Sequence, residues 1–162
     1  MSKDCVVCQR ISPKEVFERG HILLDGFTDK ETIHKINVDA VNCINYADQK
    51  NRILFCGHSG NVILAGLFYI LCPRYGINVS QQEIAYCGQM TDITLSRSYR
   101  RWLAAFPMLF LEWEKNERNG YWRWSPGIRC SVRVKTAPYF FDRLLEEPPY
   151  QEPTHQKRFG VF

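Results

Sequence analysis

The stretch from residue 52 to residue 72 constrains this chain more than any other. Arg52-Ile53-Leu54-Phe55-Cys56 is a continuous apolar run, Gly57-His58-Ser59-Gly60-Asn61 is a polar break bracketed by glycines, and a second apolar run from Val62 to Cys72 stops at Pro73. A run apolar on both faces reads as a central strand. A helix apolar nearly all round has to be buried. We therefore expect a strand at residues 52–56, a tight turn, and a buried helix at about residues 61–71, ended by Pro73 and Gly76. A core built around such a pair needs a chain long enough to enclose it. With 162 residues, 45% hydrophobic, 14% aromatic and 23% charged, this one has the composition and length of a globular domain. The longer apolar run falls well short of the roughly 20 residues that cross a bilayer, so no membrane partner is expected.

Around that centre the pattern alternates between helix and strand signals. Ser12-Pro13-Lys14-Glu15 is a capping box with Pro at the first helical position, predicting a short helix over residues 13–19 that Gly20 ends. His21-Ile22-Leu23-Leu24 reads as a strand stopped by the Asp25-Gly26 turn pair. Residues 37–47 place Val41, Ile44 and Ala47 on one face, an amphipathic helix with Asn37 as its cap. Residues 77–79 and 83–87 read as extended or partly helical. Asp92-Ile93-Thr94-Leu95-Ser96 alternates like a strand. Residues 108–114 and 121–124 flank an Asn119-Gly120 turn, and residues 128–135 alternate cleanly after Ser125-Pro126-Gly127, which predicts a three-stranded meander. The expected fold is α+β: a mixed central sheet, a few helices and a C-terminal antiparallel meander. Residues 1–147 form one domain, and Pro148, Pro149 and Pro153 mark an extended tail over residues 148–162.

Charge and cysteine usage narrow the chemistry. The net charge of +4 is mild, but nine Arg and Lys fall between Arg97 and Lys135, set among aromatics. Arg97-Ser98-Tyr99-Arg100-Arg101-Trp102 is the densest such patch; arginine forks pair with phosphates and stack on bases, so nucleic acid is one expected partner. The same pattern also describes a solvated turn anchored by Trp102. Arg129, Arg133 and Lys135 share one face of the last expected strand. Met1-Ser2-Lys3-Asp4-Cys5 opens without an apolar signal core, so an intracellular chain is expected, in the host cytoplasm if the source is viral. The seven cysteines are then reduced thiols. Cys5-Val6-Val7-Cys8 has the spacing of half a zinc knuckle but lacks a second half, and no metal or cofactor is expected. Cys56, two residues before His58, reads as a buried thiol.

The Gly57–Asn61 break carries the most chemistry. Gly57 and Gly60 lack Cβ and let the backbone bend sharply and approach a ligand. The first N–H groups of the following helix have no intrahelical partner, and its dipole places partial positive charge there, so an anion is favoured. Ser59 and Asn61 add hydrogen-bonding side chains, and His58 adds an imidazole that titrates near neutral pH. A phosphate held there meets donors and a general acid together. The motif alone equally fits a plain turn, with Ser59 as a helix cap and His58 on the surface.

Read in order, several segments resemble the small viral ring nucleases that act as anti-CRISPR proteins against type III systems. The resemblance runs over residues 20–102: a strand ending in a polar residue at Asp25, a helix near residues 36–47, a strand leading into Gly57-His58 and a Ser-containing helix start, a Gly76-Ile77-Asn78-Val79 segment, and a strand opened by Asp92 and closed at Arg100 or Arg101. The Arg-Leu-Pro-Glu-Gly run of that family is replaced here by Arg101-Trp102-Leu103-Ala104-Ala105. The resemblance implies a metal-independent phosphodiesterase acting on a cyclic oligoadenylate. His58 would protonate the leaving 5′-oxygen, while Gly57, Ser59, Gly60, Asn61 and Asp25 would bind the ligand. Arg100 or Arg101 would offset transition-state charge, and a homodimer would match the symmetry of a cyclic ligand. The alternative from the residues is a non-enzymatic protein that binds nucleic acid or a host protein through the patch at residues 97–101 and the basic strands.

Overall fold

In the computed structural model, the described residues are 10–51, 55, 57–118 and 120–124. Five α-helices precede one small hairpin: α1 (Pro13–Leu24), α2 (Lys30–Lys50), α3 (Gly60–Leu71), α4 (Gln81–Cys87), α5 (Asp92–Ala105), then β1 (Trp113–Asn116) and β2 (Tyr121–Trp124). α3 is the hub, packed against all four other helices. Ile63 to Leu71 are all buried, as its uniformly apolar sequence requires. Each large aliphatic or aromatic side chain enclosed this way contributes on the order of 2 kcal/mol. A 3₁₀ turn at Cys72–Tyr75 follows, and Gly76, at φ +75°, ends it in the left-handed region where glycine carries no Cβ penalty.

Three elements differ from the sequence expectation, each through the same physics. α1 begins at the Ser12–Glu15 capping box as expected but runs through Gly20, so the predicted strand at residues 21–24 is helical. Val16, Gly20, Leu23 and Leu24 lie at helical spacing and bury together. Gly20 is a crossing point rather than a stop, since a Cβ there would overlap the Asn37 side chain of α2. α2 in turn starts earlier than expected. Asp29 caps it, accepting from the Thr32 N–H at 2.9 Å, and Asn37, the expected cap, is fully buried mid-helix. Ile33, Ile36, Ala40, Cys43, Ile44 and Ala47 complete its buried stripe.

The predicted strand at residues 92–96 is the first part of α5, whose cap Thr91 accepts from the Thr94 N–H. A strand would have buried Ile93 with Leu95. The helix instead buries Leu95, Tyr99, Trp102 and Leu103 and leaves Ile93 63% exposed, because four apolar contacts on one stripe outweigh two on an alternating face.

β-Structure is scarcer than expected. Among the described residues it comprises the β1–β2 hairpin and an isolated Asp25–Thr28 bridge. No central sheet is present among these residues. The expected strand at residues 52–56 lies outside them except for Phe55, which is in a 3₁₀ conformation rather than a strand and is buried with its ring edge against Trp102. Residues 108–114 do not form the predicted strand as a whole: Pro107–Phe110 is a 3₁₀ turn, and pairing begins at Trp113. The hairpin matches Trp113 with Trp124 and Asn116 with Tyr121, turning at Gly120, φ +74°. The third strand of the meander and the proline-rich tail fall outside the described residues. No helix among the described residues is long and apolar enough to cross a membrane.

Candidate functional site

The Gly57–Asn61 turn forms at the N-terminus of α3 as the residue types dictate. Gly57 has φ +73° and open space around it. Ser59 is the cap, its Oγ accepting from the Val62 N–H at 3.3 Å, so that hydroxyl is committed to the helix. The Gly60 and Asn61 N–H groups, in the first turn, have no partner among the described residues. Gly60 is buried, with the Glu15 carboxylate 3.2 Å from where its Cβ would stand. One side of the α3 N-terminus therefore already faces an acid from α1. Asn61 is exposed on the other side.

α5 decides what else reaches the turn. It packs along α3 with small residues at the crossing: Ser98 Oγ donates to Val62 O at 2.7 Å, and a Cβ on Gly66 would overlap it. Trp102 Nε1 donates to Ile63 O at 2.9 Å. This docking sets Arg101 close enough to His58 for its charge to matter. The imidazole is held below the ordinary histidine value, first by partial burial and then by the Arg101 charge. Burial likewise lowers Arg101 from the usual arginine range, and Arg101 makes no ion pair among the described residues. A half-buried guanidinium with no counter-ion among the described residues, near an imidazole held towards its neutral form and two helix N–H groups with no partner among those residues, can accept an anion.

The expected ligand residues are thus only partly assembled. Gly57, His58, Ser59, Gly60, Asn61 and Arg101 come together. Arg100 turns away: its Nε and Nη2 donate to Ser96 Oγ, at 3.1 and 2.7 Å, and its guanidinium lies 5.7 Å from the Tyr121 ring centroid. Asp25 caps the far end of α1, ten residues and about 15 Å from Glu15 at the turn. Cys56, Cys5 and Cys8 lie outside the described residues. Among the described residues, no cluster of three or more His, Cys, Asp and Glu is placed to hold a metal.

Sequence reading missed one constellation of charged residues. Arg74, wholly buried, donates from Nη1 to Asp39 Oδ2 and from Nε to Glu112 Oε2, both at 2.9 Å, and from Nη2 to Leu109 O. Tyr75 OH also donates to Asp39 Oδ2, at 3.1 Å. Burial pulls Arg74 down, but Glu112 and Asp39 more than offset that, so the guanidinium stays charged. Burial raises Asp39. The available signal was Asp39 standing in register with Ile36, Ala40 and Cys43 on an apolar stripe. The arrangement is enclosed on every side, so its role is to join α2, the 3₁₀ turn and the approach to the hairpin. No protein-family model matches the chain, no curated protein matches it in sequence, and no solved structure matches it in fold.

Proposed function

We propose that this protein binds a phosphodiester at the Gly57-His58-Ser59 turn and cleaves it without metal. The ligand, following the ring-nuclease resemblance, would be a cyclic oligoadenylate. The observation that carries the reading is Arg101, half-buried and without a carboxylate partner among the described residues, near enough to His58 at the start of α3 for its charge to lower the imidazole. A ligand phosphate between the two would meet the guanidinium and the Gly60 and Asn61 N–H groups. Its charge would raise the imidazole's proton affinity and ready it to protonate the leaving 5′-oxygen as the ribose 2′-oxygen bonds to phosphorus, the P–O5′ bond breaks and the 2′-OH proton passes to water. In this reading the phosphate-holding arginine is Arg101, not Arg100, and Asp25 takes no part. Glu15, beside Gly60, opposes the anion and so tunes affinity downward. A two-fold homodimer would present one such turn to each half of a symmetric ring.

Labelled cyclic tetra-adenylate tests the proposal. Wild type cuts it, His58→Ala is slower by about a hundred- to ten-thousand-fold with an unchanged circular dichroism spectrum, and Arg101→Ala slows cutting where Arg100→Ala does not. Glu15→Gln binds more tightly. A wild-type protein that leaves the ring uncut sinks the enzyme. The second reading is a non-enzymatic nucleic-acid-binding protein. It is favoured by Arg97 and Arg101 lying four residues apart on the outer side of α5. It gains if binding to long RNA falls steeply with salt and needs both arginines while His58→Ala is without effect.

A further inference from the structure

Away from the His58 turn, a cleft of about 400 Å³ opens between α4, α5 and the hairpin. Its walls are the rings of Tyr99, Trp113, Tyr121 and Trp122. Tyr99 and Trp113 form a buried floor, with ring centroids 6.0 Å apart and tilted by 40°. Tyr121 stands 56% exposed at the rim. Arg100, anchored by three hydrogen bonds to Ser96, places its guanidinium 5.7 Å from that ring's centroid. Nη1 of Arg100 has no partner among the described residues, which leaves its donors for a ligand.

Among the described residues, the one charged residue of the lining is Arg123, joined to Glu114 only by an exposed 3.4 Å pair of little strength. Gln81 is there too, its Nε2 giving one hydrogen to Asp92 O and keeping the other. An exposed ring over an aromatic floor selects a flat π-face, an amide pairs with a base edge, and a guanidinium selects an anion. A neutral sugar would leave the Arg123 charge unused, and an acyl chain would bury it.

We propose that this cleft binds a nucleoside phosphate, the base against Tyr121 and the aromatic floor and the phosphate on Arg123, with Arg100 outside the lining against the Tyr121 ring. The inference does not depend on catalysis at His58, since Arg100 and Arg101 face different sites. A free nucleotide and a nucleotide within a single strand share this chemistry, and the experiment separates them.

The test titrates the full chain with adenosine monophosphate, ribose 5-phosphate and linear tetra-adenylate, followed by the fluorescence of the tryptophans lining the cleft. Adenosine monophosphate should saturate, with ribose 5-phosphate weaker by about tenfold or more because it lacks the base. Tyr121→Ala and Arg123→Ala should each weaken the nucleotide by about tenfold, Tyr121→Phe should keep it, and His58→Ala should not matter. Tetra-adenylate binding more tightly than the monophosphate, with a steeper salt dependence, identifies a strand as the source; equal binding identifies the free nucleotide. Equal affinity for ribose 5-phosphate, no saturation at millimolar nucleotide, or undiminished binding by both Tyr121→Ala and Arg123→Ala overturns the proposal.

Discussion

On α5 successive side chains leave the helix axis about 100° apart, so Arg100 and Arg101 point to different neighbours although they are adjacent in sequence. One lies over the Tyr121 ring and the other repels a proton from His58. This divergence has a direct measure. In an NMR titration the His58 imidazole should titrate below 6.5 in the wild-type protein. Arg101→Ala should move it upward, while Arg100→Ala should leave it in place; a shift in both variants would contradict the geometry. The effect on stability has a definite sign. The fold favours neutral His58, so the unfolded chain binds that proton more readily. The stabilising contribution is complete above 6.5 and is lost as pH falls through the native value. Urea midpoints at pH 7.5 and pH 5 should therefore differ less in His58→Gln than in wild type.

Helix boundaries turned on which glycines stop a helix and which allow one to be approached. Gly76 is a stop, with positive φ; Gly20 and Gly66 are places where another element presses on the backbone. At Gly66 an added Cβ would meet Ser98 Oγ and Cβ and the Tyr99 backbone nitrogen. Gly66→Ala should thus destabilise by about 1–3 kcal/mol in denaturant unfolding, although alanine is the better helix former. Ser98→Gly in the same chain should recover only part of that, because the Tyr99 nitrogen remains. A stabilised Gly66→Ala protein would show that α3 and α5 do not cross there. Sequence reading handled α3 well because its own residues, Ser59 through Leu71, contain the cap and the apolar surface. It shortened α1 and α2 and misread α5, because short windows around residues 21–24 and 92–96 carry alternation and helical spacing alike. Only the neighbouring stripes, Val16 to Leu24 and Leu95 to Leu103, separate the two.

Across the whole molecule, the buried Asp39–Arg74–Glu112 arrangement ties together three segments distant in sequence, with two carboxylates about one guanidinium. Glu112 Oε1 has no hydrogen-bond partner among the described residues, so losing the cation would leave both buried acids without a counter-charge, Asp39 keeping only its bond from Tyr75 and a weak one from Cys43. Arg74→Met should cost about 3–5 kcal/mol, read as a lowered urea midpoint. The exposed Arg10–Asp48 pair, at 3.2 Å, should give less than about 1 kcal/mol on Arg10→Ala. Comparable losses in the two variants would argue against an enclosed Arg74. By itself the sequence determined the glycine-histidine turn, the Ser59 cap, the buried helix behind it and the hairpin turn at Gly120, since local backbone preference and the polarity of adjacent residues suffice for each. Tertiary structure decided that Arg101 rather than Arg100 meets His58, that Glu15 occupies one side of the same helix end, and that Arg74 lies inside. Those outcomes depend on how α1, α2, α3 and α5 cross, and crossing angles come from side chains far apart in the chain interlocking, α1 with α2 at Gly20 and α3 with α5 at Gly66.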